Sequence, residues 1–141
     1  MKDQRPDRLI LDTNVIVSAA ISGRFEELIG LKALYDIEIY TCTKQFTELS
    51  TTFSKFSVRK FLVASPKKYI ESFKTISSEV KITERFDRAP DPDDNYLFDL
   101  AYTVKSHFIV TNDKPILNLK QVNKIKIISM RELRIILKMG S

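Results

Sequence analysis

The chain has 141 residues, of which 43% are hydrophobic and 29% are charged, and its formal net charge is +5. This length is typical of a single domain, spanning 1–141, and the balance of apolar and charged residues excludes an intrinsically disordered chain. Three glycines argue against a glycine-rich phosphate loop. The single cysteine, Cys42, excludes an internal disulfide, and no apolar run is long enough to span a membrane. We therefore expect a cytoplasmic protein.

The first half of the chain alternates short apolar segments with helical patterns. An apolar run at 8–12 predicts a buried strand, and helices are expected from Asn14 and over 25–35. The alternating segment 37–42 predicts a second strand. Thr43 is expected to cap the next helix. The apolar face of that helix is Phe46, Leu49, Phe53 and Phe56.

The second half repeats this alternation. Pro66 is expected in the first turn of a helix, Asp93 or Asp94 at the start of another, and Ser129 at the start of the last. Three further strands are predicted, at 80–83, 107–111 and 124–129. Strands that alternate with helices in this way predict an α/β protein with a mainly parallel sheet, helices on both faces and right-handed crossovers.

Acidic residues recur just after these predicted strands. They are Asp12, Glu48, Asp91, Asp93, Asp94 and Asp113. The carboxyl ends of parallel strands share one rim, where open α/β sheets bind ligands, so these acids are expected to converge. Taken singly, most have a simpler interpretation as helix caps, turn residues or solvated helix residues. Asp12 is the exception, because it follows a buried apolar run where an unpaired charge is costly.

Several carboxylates in one pocket repel one another unless a cation lies among them. Oxygen ligands without thiols suit Mg²⁺ or Mn²⁺, and such an ion can activate a bound water and neutralise charge on a phosphodiester. A histidine-rich zinc site is excluded because the chain has one histidine, His107, which is expected at a strand edge. No serine lies in a nucleophile elbow.

Four segments together resemble the PIN-domain family. They are LDTNVIVSA at 11–19, TKQFTELSTTF at 43–53, DPDDNYLFDLA at 91–101 and VTND at 110–113. The resemblance covers roughly residues 7–137, and extends in particular to the toxin components of prokaryotic toxin–antitoxin systems. It implies a three-layer α/β/α sandwich around a central, mainly parallel sheet of about five strands. It also implies a metal-dependent ribonuclease.

The same resemblance implies roles for individual residues. The expected catalytic acids are Asp12, Glu48, Asp94 and Asp113. Among them, Asp12, Asp94 and Asp113 are the expected ligands of Mg²⁺ or Mn²⁺. The expected supporting residues are Asn14, Thr111, Asp91 and Asp93. The sequence leaves open which of the aspartates at 91, 93 and 94 faces the metal.

Two segments of the chain are strongly basic. Residues 54–88 carry nine Lys or Arg against four acids, and residues 114–138 carry seven against one. Basic surface beside an acidic metal pocket suits the phosphate backbone of RNA, and single-stranded or loop RNA is the expected target. The residues expected first to bind RNA are Arg59, Lys60, Lys67 and Lys68, although for any one of them a solvated helix residue is the simpler interpretation.

Two other functions stay open on the sequence. One is a non-catalytic module that binds RNA or protein. The other is a Mg²⁺-dependent phosphatase with Asp12 as nucleophile, although such enzymes place a second acid two positions later, where this chain has Asn14. The resemblance also implies a cognate antitoxin protein as partner, and a homodimer. Apolar residues of 53–63 are available for a dimer interface, although a place in the core is the simpler interpretation.

Overall fold

The computed structural model describes residues 6–140, with Gly140 described by its backbone alone. The strands are β1 Asp7–Leu11, β2 Ile37–Thr41, β3 Ser77–Glu79, β4 Phe108–Val110, β5 Gln121–Val122 and β6 Ile125–Ile128. The helices are α1 Thr13–Ile21, α2 Phe25–Leu34, α3 Thr43–Ser54, α4 Phe56–Arg59, α5 Pro66–Ile76, α6 Asn95–Val104, α7 Lys114–Leu117 and α8 Met130–Gly140. A short 3₁₀ turn, Pro92–Asp94, precedes α6.

The strands form one sheet of six, in the order β3-β2-β1-β4-β6-β5. All neighbouring pairs are parallel except β5 and β6, which form a small antiparallel edge. The chain builds outward from β1 in one direction through β2 and β3, and in the other through β4. The strand order therefore reverses between β1 and β4, which is where open α/β sheets form a crevice at their carboxyl ends.

Alternate residues of each central strand enter different cores, because side chains in a strand point to opposite faces. Leu9 and Leu11 pack with α1, α2, α3, α5 and α8 on one face of the sheet. Ile10 packs with α6 on the other face. The predicted α/β fold, with a mainly parallel sheet between two helical layers, is confirmed.

Three local predictions are wrong. The third strand is Ser77–Glu79 rather than 80–83. It is a polar edge strand that pairs with β2 alone, so it lacks the apolar alternation that residues 80–83 show. Thr43 is the first residue of α3 and not its cap, and its hydroxyl donates to Glu79 Oε2 at 2.9 Å. Phe56 is 79% exposed, because α3 ends at Ser54 and the chain changes direction there.

Candidate functional site

Asp12 lies at the carboxyl end of β1, beside the point where the strand order reverses. Its backbone N–H donates to the Val110 carbonyl of β4 at 2.8 Å, and its side chain is buried. Thr111 Oγ1 donates to Asp12 Oδ2 at 2.7 Å, and the Asn14 N–H donates weakly to Oδ1 at 3.4 Å. Burial raises the pKa of Asp12, while these two donors oppose the rise. The carboxylate is thus held in one orientation at the first turn of α1.

The Thr111 hydroxyl also fixes Asp113. Thr111 is fully buried, and its Oγ1 accepts the Asp113 N–H at 3.0 Å while it donates to Asp12. Asp113 is half-buried at the N-cap of α7, and its side chain makes no capping hydrogen bond there. One hydroxyl therefore links the acid after β1 to the acid after β4.

Glu48 is held from the opposite helix by Tyr96, a residue that the sequence analysis did not single out. The Tyr96 hydroxyl donates to Glu48 Oε1 at 2.9 Å and lies 3.1 Å from Thr13 Oγ1. Because the tyrosine has one proton and gives it to Glu48, Thr13 acts as the donor in the second bond. The hydroxyls connect α1, α3 and α6, the three helices that surround the acids. Tyr96 is buried among the apolar residues of α6, so its sequence pattern resembles that of a core residue.

Gln45 is a second buried polar residue that the sequence analysis missed. Its Nε2 donates to the Leu11 carbonyl at 2.6 Å, and its Oε1 accepts the Thr41 hydroxyl at 2.6 Å. It joins the carboxyl ends of β1 and β2 directly beside Asp12. Gln45 lies on the same buried face of α3 as Leu49 and Phe53. A polar residue on an otherwise apolar helix face is the sequence signal that could have identified Gln45.

Asp94 is the acid of the 91–94 cluster that the other carboxylates affect most. It is half-buried, and burial together with the charges of Asp12, Asp91, Asp113 and Glu48 raises its pKa from 3.8 to about 6. Burial is the largest cause, and Asp12 is the largest of the charges. The four acids from different segments of the sequence therefore converge in space.

The two remaining acids of that cluster are exposed. Asp91 caps the 3₁₀ turn, with its Oδ1 accepting the Asp93 N–H at 3.0 Å. Asp91 lies near enough to Asp94 to contribute to its raised pKa, whereas Asp93 is not among the causes. Asp99 is a buried acid with a structural partner, since its Oδ1 accepts the Phe86 N–H at 2.6 Å.

The predicted basic cluster takes no part in these hydrogen bonds. Arg59, Lys60, Lys67 and Lys68 are exposed at the end of α4 and the start of α5. Within residues 6–140, no hydrogen bond or ion pair joins them to the acids. Lys44 of α3 lies beside the site, with its Nζ 6.0 Å from the centre of the Tyr96 ring. His107 begins the turn into β4 at the opposite end of the strand from Asp113, and its Nδ1 accepts the Arg8 N–H at 2.9 Å.

The donors of the site fit a hard divalent cation, although they do not enclose one by themselves. In the part of the chain that the structure describes, no group of three or more His, Cys, Asp or Glu side chains is arranged to hold a metal ion. Mg²⁺ keeps several waters and needs only one or two carboxylates from the protein. Burial and, after it, the charges of the other acids raise the pKa of Asp94, and a cation would relieve the part that comes from repulsion.

The fold and the site together define a class: α/β proteins whose acidic residues gather where the order of a parallel sheet reverses. The family model for the PIN domain matches residues 8–115, which include all four converging acids. The chain belongs to the PIN-domain family, whose members are generally ribonucleases that use divalent metals.

This chain is also similar to two known proteins, one in sequence and one in structure. An uncharacterized protein of Methanocaldococcus jannaschii is 27% identical over 124 residues, covering 83% of this chain and 77% of that protein. The crystal structure of VapBC2 from Rickettsia felis, bound to a DNA fragment from their promoter, contains a chain with a TM-score of 0.59 and 13% identity. The match covers 86% of this chain and 98% of that chain, and at this identity it supports the fold.

Across the described residues, none of the helices has the length and apolar character required to cross a membrane.

Proposed function

We propose that this protein is a metal-dependent endoribonuclease that hydrolyses RNA phosphodiester bonds at the acidic site. The observation that carries the proposal is the convergence of Asp12, Glu48, Asp94 and Asp113, where burial first and the neighbouring charges second raise the pKa of Asp94 to about 6. Carboxylates held together against their mutual repulsion are characteristic of a functional site, since stability alone does not require them.

At this site some residues would hold the metal ion and others orient the carboxylates. Asp12 and Asp94 would hold Mg²⁺ or Mn²⁺, directly or through water, and Asp113 would share in that role. When bound, the ion supplies an activated water and neutralises charge on the phosphodiester. Thr111 orients Asp12 through its 2.7 Å bond, and Tyr96 orients Glu48 through its 2.9 Å bond.

The proposed substrate is RNA in single-stranded or loop form. Bases that are not stacked in a helix can be splayed into a cleft at the rim of the sheet. The exposed residues Arg59, Lys60, Lys67 and Lys68 would contact phosphates away from the acids. Their exposure suits affinity for the phosphate backbone, and within the described residues no hydrogen bond or ion pair joins them to the acids.

The test is a cleavage assay on a panel of structured and single-stranded RNAs, with Mg²⁺, with Mn²⁺ and with EDTA. Wild type should cut in either metal and not in EDTA. Asp12→Asn should lower the rate by more than about a hundredfold, since changes even to residues that support a metal ligand cost 10- to 100-fold. Folded wild type that binds RNA and does not cut it would favour a non-catalytic binding module.

We further propose that the protein is the toxin of a toxin–antitoxin pair. The support is membership of the PIN-domain family and the fold shared with a chain of the Rickettsia felis VapBC2 complex. An antitoxin would mask the acids, and an arginine paired with these carboxylates would do so efficiently. Expression of wild type should arrest growth, Asp12→Asn should not, and co-expression of the protein encoded by a neighbouring reading frame should restore growth.

A homodimer is part of the same proposal. Phe53 is fully buried in the core, so it does not serve an interface, whereas Leu62 is half-buried. Phe56 and Phe61 are 79% and 54% exposed and belong to adjacent turns, so they are available to one. Light scattering should report a dimer for wild type and a monomer for the Phe56→Ser, Phe61→Ser double variant. A monomeric wild type would exclude this interface.

A further inference from the structure

A second polar site lies beside the acidic one, on the opposite side of the turn at Asn112. A partly open cleft of about 210 Å³ lies between α1, the start of α2 and the start of α8. Its wall carries three arginines, Arg24, Arg131 and Arg134. The space equals that of about seven waters, which suits a small charged group. We refer to it as the arginine cleft.

The arginine cleft carries more positive charge than its surroundings balance. Arg134 Nε donates to Glu27 Oε1 at 2.7 Å, so this guanidinium has a carboxylate partner. The guanidinium groups of Arg24 and Arg131 make no hydrogen bond or ion pair with any residue of 6–140. Two cations that face one space without a counter-charge repel each other, so the cleft has the electrostatics of an anion site.

The other donors of the arginine cleft match the oxygens of a phosphate. The Ser18 hydroxyl and the Asn112 side-chain amide both line it, and neither makes a side-chain hydrogen bond within residues 6–140. Guanidinium, hydroxyl and amide groups are the usual donors to a phosphate backbone. A planar guanidinium can also bind two phosphate oxygens at once.

The arginine cleft and the acidic site share a wall. Asn112 lines the cleft, while its neighbours Thr111 and Asp113 belong to the acidic site. The Asn112 N–H approaches Asn14 Oδ1 at 3.5 Å, so the side chain of Asn14 closes the same boundary beside Asp12. The arginine cleft and the acidic site are therefore neighbours, separated by Asn14 and Asn112.

We propose that the arginine cleft binds a backbone phosphate of the RNA next to the phosphodiester that is cut. The inference rests on the proposed function and extends it, since it assigns Arg24 and Arg131 as the residues that set the register of the strand. The acidic site repels RNA before a cation binds. Two arginines beside it offset that repulsion and hold the strand in place.

The test measures RNA affinity in EDTA, where cleavage does not interfere. A fluorescent single-stranded RNA is titrated with wild type, Arg131→Ala, Arg24→Ala and Arg131→Lys over a range of salt concentrations. The control is Lys32→Ala, which removes one exposed positive charge from the last turn of α2. Each Arg→Ala variant should weaken binding by about tenfold, as expected when a hydrogen bond to a charged group is removed.

Two further readouts separate a phosphate contact from a general reduction of charge. The slope of log affinity against log salt should fall by about 0.7 for each phosphate of a single strand that the variant no longer neutralises. Arg131→Lys should recover part of the affinity, because it keeps the charge and lacks the two-point geometry. In Mg²⁺, the Arg→Ala variants should raise KM about tenfold and change kcat little, since the arginines contribute to binding rather than chemistry.

Three outcomes would overturn the inference in different ways. If wild type cuts RNA while Arg131→Ala and Arg24→Ala match Lys32→Ala, the arginine cleft is not a phosphate site and the proposed function stands. If wild type neither binds nor cuts RNA, the proposed function is wrong as well. If the arginine variants bind RNA normally and lose affinity for an acidic protein partner, the cleft belongs to that partner.

Discussion

The acidic site and the basic cluster differ in how firmly the fold holds their side chains. The basic cluster consists of Arg59, Lys60, Lys67 and Lys68. Asp12 and Asp113 follow buried strands, Glu48 lies on α3 and Asp94 precedes α6. Buried hydroxyl groups hydrogen-bond to the carboxylates of Asp12 and Glu48. The basic residues are exposed on α4 and α5. Among them, Lys60 has aromatic neighbours, with its Nζ 5.1 Å from the Phe61 ring centre and 6.0 Å from that of Phe56.

This difference indicates what each region can contribute. Chemistry requires atoms held at fixed positions, and the fold gives up some stability to hold like charges together at the rim of the sheet. Affinity for a phosphate backbone requires only positive charge near the path of the strand. Substitutions in the acidic site should therefore have large effects of several kinds. Substitutions in the basic cluster should have small, graded effects that depend on salt.

Asp94→Asn should give the largest effects and should move activity and stability in opposite directions. Removal of a proposed metal ligand should lower cleavage by more than about a hundredfold. In EDTA at pH 7.5 the variant should be more stable than wild type by on the order of 1 kcal/mol, since it relieves repulsion at a half-buried carboxylate that solvent partly screens. The matched control is Asp93→Asn, which removes an exposed charge one position away. Equal stabilities of the two variants would contradict the electrostatic account.

The same carboxylate predicts a pH dependence of wild-type stability in EDTA. Because the pKa of Asp94 is raised from 3.8 to about 6, the folded state binds this proton more tightly than the unfolded chain does. Lowering the pH from about 6 towards 3.8 should therefore add stability through this group, and raising the pH through about 6 should remove it. Asp94→Asn should lack this component. Urea unfolding of both proteins across the range gives the difference, and parallel curves would disprove the prediction.

Thr111→Val should have the next largest effect, through Asp12. The valine keeps the size of the side chain and removes the hydroxyl that donates to Asp12 and accepts from the Asp113 N–H. Activity should fall by about 10- to 100-fold, as for other residues that orient a metal ligand. Stability should fall by about 1–3 kcal/mol, because the buried Asp12 carboxylate loses a donor and a partly buried N–H loses its acceptor. Thr75→Val is the control, since Thr75 is exposed and bonds only to its own helix.

The positions of the acids could be predicted from sequence, as could Thr111 and Asn14 beside Asp12, whereas Gln45 and Tyr96 could not. Asp12 and Asp113 follow apolar runs, so strand ends and the shared rim of a parallel sheet place them. Gln45 and Tyr96 look like core residues, and only the completed fold brings Gln45 to the Leu11 carbonyl of β1 and Tyr96 to Glu48 of α3. Ser77–Glu79 could not be recognised as a strand, because its identity comes from hydrogen bonds to β2 and not from any apolar pattern.

The arginine cleft was beyond sequence analysis for the same reason. Arg24 and Arg131 are more than a hundred positions apart, and each occurs where a charged residue near a helix start is unremarkable. They face one space because α2 and α8 pack on the same side of the sheet. Local patterns specify which elements form, whereas the joint environment of distant side chains depends on the completed fold.

Tyr96→Phe should have a moderate effect on stability and cleavage, and it tests whether Glu48 must be oriented by the Tyr96 hydroxyl. The variant removes the hydroxyl that donates to Glu48 and leaves the ring in place. Stability should fall by about 1 kcal/mol, the usual net worth of such a hydrogen bond, and cleavage should fall severalfold. Tyr35→Phe is the matched control, because the Tyr35 hydroxyl makes no hydrogen bond in the described part of the chain. Full activity of Tyr96→Phe would show that Glu48 needs no orientation.

Single substitutions in the basic cluster should have the smallest effects. Arg59→Ala and Lys60→Ala should each weaken RNA binding about two- to threefold at moderate salt, because exposed charges are screened and each contributes one phosphate contact. The effects should combine, so that the variant lacking all four basic residues binds RNA more weakly and with less dependence on salt. The kcat of every variant should stay near that of wild type. A drop in kcat for Lys60→Ala would place this lysine within reach of the reacting phosphate. The assignment of chemistry to the acidic site and of affinity to the basic cluster would then be wrong.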